Sequence, residues 1–247
     1  MLIVPDIHGR TFWEAPVMEA LGKEHIVFLG DYLDPYPYEG ISEAEAFLRF
    51  GGLIALKKEH PDDITLLLGN HDLHYLDGNL LGGRYDFLHG ARNRKAFTDR
   101  SELFQIAYET KVAGRKYLLT HAGVKWGWII YNRETLGIKR PEDVAPTLNA
   151  MWWDEVRRKQ LLATFADIPH SRGGRHLYGS PVWNDLEDMD DSFEELDGYY
   201  QIFGHSQQKE YPVIGDNFAC LDCREAFALT EEGKIWYWEN RNDYIVD

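Results

Sequence analysis

The chain has 247 residues, 44% hydrophobic and 14% aromatic, so it can bury roughly 70–75% of the surface its unfolded form exposes and needs no disulfide to build a core. Asp and Glu number 41 against 26 Lys and Arg, a formal net charge of −15, which argues against gripping long nucleic acid or an anionic membrane, since both call for basic faces. The cysteines, Cys220 and Cys223, are too few for a disulfide framework in a chain this long. There is no long uncharged apolar run, and the start, Met1-Leu2-Ile3-Val4-Pro5-Asp6, lacks a basic leader. The expectation is a cytoplasmic chain whose mature form begins at Met1.

In chain order, short apolar runs of strand length lie at residues 2–4, 26–29, 64–68, 117–119 and 200–203, most of them stopping at a small or polar residue. Between the first three lie helical spacings: 12–21, with Val17, Ala20 and Leu21 on one face, and 43–58, with Ala46, Phe47, Phe50, Leu53, Ile54 and Leu56. This alternation predicts a parallel sheet with crossover helices, an α/β architecture. The second half reads differently. Val112 and Tyr117 flank Ala113-Gly114-Arg115-Lys116, and segments 226–229 and 235–238 flank Glu231-Glu232-Gly233. Both are hairpin signals and predict a second, more antiparallel sheet. Residues 126–162 turn helical, and 185–197 carry eight acids and no base; the segment 126–197 reads as a helical and acidic insertion over one rim of the sheets. No linker, repeat or low-complexity tract marks a boundary, so a single domain over 1–247 is expected.

The residues just after each strand carry the chemistry. The first strand leads into Asp6-Ile7-His8-Gly9, the second into Gly30-Asp31-Tyr32-Leu33-Asp34 and the third into Gly69-Asn70-His71-Asp72; later runs lead into His121-Ala122-Gly123 and Gly204-His205-Ser206. In open α/β sheets the carboxyl ends of the strands form the ligand crevice, so these side chains are expected to converge. Singly, a Gly-Asp turn or a lone histidine is common and means little; five in order, each at a strand end, are another matter. Converging Asp, His and Asn suit Mn, Fe or Zn. One carboxylate facing two ions can bridge them roughly 3.5–4 Å apart for hydrolysis of a phosphoester. His71, beside Asn70, is the candidate general acid, and Asp34 is placed to orient it.

These motifs resemble those of the calcineurin-like metallophosphoesterases, and within them most closely the phosphoprotein phosphatase family, over residues 6–205. The resemblance implies two mixed β-sheets packed as a sandwich flanked by helices. It implies two divalent cations, one held by Asp6, His8 and Asp31 and the other by Asp31, Asn70, His121 and His205, with Asp31 bridging. It also implies the His71–Asp34 pair and in-line attack by a metal-bridging hydroxide on a phosphomonoester. Manganese is the expected metal, with Fe or Zn as alternatives. The substrate is expected to be a phosphorylated small molecule, nucleotide or phosphopeptide, and a dinucleoside polyphosphate hydrolase is the alternative activity. A metal-free scaffold of the same fold would show broken ligands, and all six proposed ligands are present. No feature of the sequence assigns an oligomeric state.

Two departures from the family stand out. Gln207 occupies the position of a second histidine in Gly-His-x-His relatives, which points to the phosphoprotein phosphatase branch and away from nucleases. Pro35, in Pro35-Tyr36-Pro37-Tyr38, occupies the position of a phosphate-clamping Arg. Replacements are sought among Arg10, Arg84, Arg92, Arg94, Lys95, Arg172 and Arg175, because Arg pairs with phosphate through two parallel donors. Cys220-Leu221-Asp222-Cys223 lacks a second pair to close a zinc site and reads as buried structural thiols. His25, His60, His74, His89, His170 and His176 carry no motif, although His74 and His89 lie near enough to His71 to line a pocket. Trp126, Trp128, Trp152, Trp153 and Trp183 read first as core and second as a stacking wall.

Overall fold

The computed structural model describes residues 1–78, 83–190 and 196–239. The chain forms two compact units, one from Met1–Phe104 together with the chain from Arg224 onward, the other from Gln105–Cys223.

The first unit begins with β1 (Leu2–Val4), β2 (Ile26–Phe28) and β3 (Ile64–Leu67), parallel and in register, with Ile3 opposite Val27 and Val27 opposite Thr65. Nearly every side chain here is buried, as expected of parallel strands covered on both faces. Helices α1 (Glu14–Ala20) and α2 (Glu43–Glu59) make the crossovers, and α3 (Asn70–Leu73) and α4 (Gly90–Thr98) follow β3. Ser42-x-x-Glu45 starts α2 as a capping box: the Ser42 hydroxyl accepts the Glu45 N–H at 3.2 Å, and the Glu45 carboxylate accepts the Ser42 N–H at 2.9 Å. Phe50 of α2 packs with Tyr32, Phe97 and Phe104 in one aromatic cluster. That packing holds α2 helical across Gly51 and Gly52.

In the second unit β5 (Ala107–Val112) and β6 (Arg115–Thr120) form the hairpin around Ala113-Gly114. The crossover from β6 to β7 (Tyr199–Phe203) carries α5 (Trp126–Tyr131), α6 (Arg133–Leu136), α7 (Val144–Trp153) and α8 (Glu155–Phe165). The sheet is completed by β8 (Val213–Ile214) and β9 (Phe218–Cys220), in the order β5-β6-β7-β9-β8. It is mixed, since β6, β7 and β9 run parallel while the outer pairs are antiparallel. Of the acidic stretch 185–197, residues 191–195 lie outside the described residues.

The second predicted hairpin, β10 (Phe227–Leu229) and β11 (Ile235–Tyr237), forms but does not join this sheet. It returns to the first, in the order β11-β10-β1-β2-β3-β4, where β4 is Phe104–Gln105. The reason is β1: its residues are wholly buried, so both its edges need a hydrogen-bonding neighbour. β10 supplies the missing one antiparallel, with Ile3 opposite Phe227.

Two features of this unit give direct tests. Gly51 and Gly52 are exposed in the interior of α2, and a Cβ at either would meet nothing within 4 Å. Gly51→Ala and Gly52→Ala should each raise the unfolding free energy by about 0.5–1 kcal/mol in urea titrations. The buried Asp72 carboxylate accepts three backbone N–H groups, from Gly69 and Asp31 at 2.8 Å and from Tyr32 at 3.0 Å. Asp72→Ala leaves all three without that acceptor and should cost at least about 3 kcal/mol. A loss below about 1 kcal/mol would show that those donors find other partners.

Candidate metal centre

The three parallel strands of the first unit deliver the proposed ligands to one edge. Asp6 and His8 follow β1, Asp31 follows β2, and Asn70 and His71 open α3 directly after β3, all of them buried. The turns there are tight. A Cβ on Gly30, whose φ is +112°, would lie 2.5 Å from the Gly69 nitrogen, so the loops after β2 and β3 touch backbone to backbone. His8, Asp31 and Asp34 have φ of 46°, 54° and 60°, left-handed values costing of order 1 kcal/mol or more for side-chain-bearing residues and maintained only where the surroundings fix them. Here the fixing contacts are visible: His8 N–H donates to the Asp31 carbonyl at 2.7 Å, and Asp72 holds the Asp31 N–H.

His8 Nδ1–H donates to the Leu33 carbonyl at 2.8 Å, which leaves the Nε2 lone pair facing the Asp31 carboxylate at 3.4 Å. The other Asp31 oxygen accepts the His71 N–H at 2.9 Å. His8, Asp31 and His71 offer ligand atoms within 4.8 Å of one another, all buried. Imidazole nitrogen with a lone pair available beside a buried carboxylate is a donor set that fits a divalent Mn, Fe or Zn ion.

Asp34 lies behind His71. One of its oxygens meets His71 Nδ1 at 2.9 Å and His74 Nε2 at 2.7 Å, and the other accepts the Tyr75 hydroxyl. Burial pushes the Asp34 carboxyl up, but hydrogen bonds from His71 and His74 outweigh it and leave it below the usual range. Burial pulls His71 down to about 4, against the upward pull of Asp34. His8 is lowered well below 6.5, first by burial and then by the neighbouring His71 and Arg84. The sequence gives His74 no motif, yet it shares Asp34 with His71. The available signal was spacing, since residues three apart on a helix share a face. His89, by contrast, pairs with Asp86 at 2.8 Å.

In the second unit the parallel pair β6 and β7 delivers His121 and His205 together. His121 Nε2 lies 3.1 Å from His205 Nδ1, and the Gly204 N–H donates to the His121 carbonyl at 2.8 Å. His205 is also left-handed, at φ 63°. Around it, the Cys220 thiol reaches the Gly204 and Ser206 carbonyls at 3.5 and 3.3 Å, and the Trp183 ring meets His205 edge-on. Gln201 of β7 bonds both the N–H and the carbonyl of Val124, at 2.8 and 2.9 Å, fixing the segment after His121. Cys220 and Cys223 are buried, as expected, and Trp128 and Trp152 are wholly buried core residues, whereas Trp153 is half exposed.

Most of the basic candidates for a phosphate clamp are engaged elsewhere. Arg10 is held by both Glu39 oxygens, Lys95 by Asp99, and Arg172 by Asp185. Arg92 lies over the Phe47 ring, and Arg175 is exposed. Arg84 is different: its Nη2 lies 3.2 Å from His8 Nε2 and 3.3 Å from His71 Nε2.

Comparison with known proteins agrees with this architecture. The chain is 26% identical over 242 residues to the serine/threonine-protein phosphatase ppe1 of Schizosaccharomyces pombe, covering 96% of this chain and 66% of that one. It is 25% identical over 240 residues to the serine/threonine-protein phosphatase 6 catalytic subunit of Drosophila melanogaster, with the same coverage. The chain thus spans just under two thirds of the length of these relatives. It shares its fold with a cold-active protein tyrosine phosphatase, at a TM-score of 0.60 and 17% identity, covering 96% of this chain and 77% of that one. The family model for calcineurin-like phosphoesterases matches residues 1–209, and the chain belongs to that family.

Proposed function

We propose that the chain is a metal-dependent phosphomonoesterase of the phosphoprotein phosphatase kind, acting as one metallophosphoesterase domain over 1–247 that carries an insertion at 126–197. The observation that carries this reading is the buried group His8, Asp31 and His71 with Asp34 behind it, at the carboxyl ends of parallel strands. Asp6, His8 and Asp31 are assigned to one cation, and Asp31, Asn70, His121 and His205 to the other, by the match to the family motifs. Manganese is the metal we assign, and the cytoplasm the compartment, from the two-cysteine composition. Among the described residues no helix is long and apolar enough to cross a membrane. When bound, the cations supply Lewis acidity and an activated water for in-line displacement.

The protein's own groups do the rest. Leu33 fixes the His8 tautomer, and the His71 N–H and Asp72 fix Asp31. His71 presents Nε2 to the leaving group while Nδ1 is held by Asp34. In the free protein burial keeps this imidazole neutral at pH 7. A phosphate dianion beside it acts in the opposite direction, so His71 takes up its proton as substrate enters and passes it to the departing oxygen. A second reading, hydrolysis of a dinucleoside polyphosphate, is favoured by one observation. The exposed Tyr38, 5.3 Å from the Tyr36 ring beside His8, offers an aromatic face to a base.

Protein purified without chelator should contain divalent metal and hydrolyse an aryl phosphate with stimulation by Mn; absence of both overturns the reading. A side-by-side screen of phosphopeptides and dinucleoside polyphosphates separates the two activities. His71→Ala should retain its metal while turnover on a poor leaving group falls by about 10²–10⁴, and unchanged turnover removes His71 from the role. The lowered pKa has a further signature. A neutral buried His71 stabilises the fold fully above 6.5, its unfolded value, and that contribution is lost as pH falls towards about 4. Urea midpoints of the metal-free protein should therefore drop more steeply from pH 6.5 to 4 in wild type than in His71→Gln, and parallel profiles would contradict it.

A further inference from the structure

We propose that Arg84 is the phosphate-binding arginine of this site, carried on the ring of Tyr36 in place of the arginine missing at position 35. The inference rests on the phosphatase reading and assigns one residue within it.

Arg84 is held at three points. Its guanidinium lies 3.6 Å from the centre of the Tyr36 ring, its Nε donates to the Asp34 carbonyl at 3.1 Å, and its Nη2 spans the Nε2 atoms of His8 and His71. These are backbone, aromatic and imidazole partners. Among the described residues no carboxylate pairs with Arg84, whereas Arg10, Lys95 and Arg172 each have one. A half-buried cation with no carboxylate partner among the described residues, aimed between two histidines, is arranged for an anion that comes and goes. Its backbone is left-handed at φ 61°, a conformation that position 84 shares with His8, Asp31 and Asp34.

The imidazole contacts explain how the side chain is released. Each depends on a lone pair, because Nδ1 of both rings is taken up by Leu33 or Asp34. A cation at His8 removes the lone pair that Arg84 uses there. The guanidinium then has unsatisfied N–H groups directed into the site, and oxygens of a phosphate are better acceptors than a neutral imidazole. Tyr36 explains the loop. Pro35-Tyr36-Pro37 has no arginine of its own but supplies the platform for one contributed from beyond α3.

The test measures phosphate binding apart from turnover. Inorganic phosphate is titrated calorimetrically into Mn-loaded wild type, Arg84→Ala and Arg84→Lys, with metal content measured on each. Affinity should fall roughly 10–100-fold in Arg84→Ala and less in Arg84→Lys, which keeps the charge without the two-pronged donor. Metal content should be unchanged. With an aryl phosphate the loss should be larger in KM than in kcat. Added guanidinium ion, but not ammonium, should restore part of the kcat/KM of Arg84→Ala, a rescue that a purely structural role would not give. If Arg84→Ala does not fold, Arg84→Lys decides. Phosphate affinity within twofold of a wild type that does bind phosphate overturns the assignment of Arg84 alone. A wild type that neither binds phosphate nor hydrolyses the ester overturns the phosphatase reading and this one with it.

Discussion

The carboxylate of Asp72 is the contact on which the arrangement of the first unit depends. It is buried, and its acceptors are spent on the N–H groups of Gly69, Asp31 and Tyr32. Gly69 ends the segment after β3, and Asp31 and Tyr32 lie in the segment after β2, so one side chain ties together two strand exits where the backbones already touch at Gly30. A loop held at that accuracy can keep Asp31 in a left-handed conformation and aim its two oxygens differently, one at the His71 N–H and one at His8. Burial and the nearness of Asp31 push the Asp72 carboxyl well up, and the three N–H bonds oppose that rise.

Asp34 plays a comparable part for the proton-carrying side. It collects His71, His74 and Tyr75 around one buried carboxylate, and its low pKa comes from the histidine bonds overcoming desolvation. The negative charge of the chain is therefore not all on its surface. Asp6, Asp31, Asp34 and Asp72 are all buried in the first unit, where they are matched by backbone N–H groups, imidazoles and, by our reading, bound cations. An acidic protein can thus present a locally positive site to a compact phosphoester.

Much of this was legible in the residues because parallel strands are written as short apolar runs, and the residues just after them fall at the sheet's carboxyl edge whatever the tertiary details. The runs ending at Val4, Leu29 and Leu68 predicted where Asp6, Asp31 and Asn70 sit. What was not legible required partners distant in the chain. The hairpin of β10 and β11 is a local signal, but the sheet it joins is decided by the open edge of β1, more than two hundred residues away. Arg84 was one basic residue among several until Tyr36 and the two imidazoles were placed around it. His74 carries no motif and is placed by the sequence only near enough to His71 to line a pocket; the side-chain geometry of Asp34 reveals what it does.

The return of β10 to β1 makes the first unit discontinuous in sequence, with the whole second unit lying between its two pieces. On a ribosome the second unit, being contiguous, emerges complete while the first still lacks a strand. Until residues 227–229 appear, Leu2, Ile3 and Val4 present an unpaired apolar edge, the kind of surface that pairs with other chains. Residues 227–229, made after the whole second unit, thus close the sheet from which Asp6 and His8 project. A product truncated before residue 227 would expose a sticky edge as well as lose a hairpin.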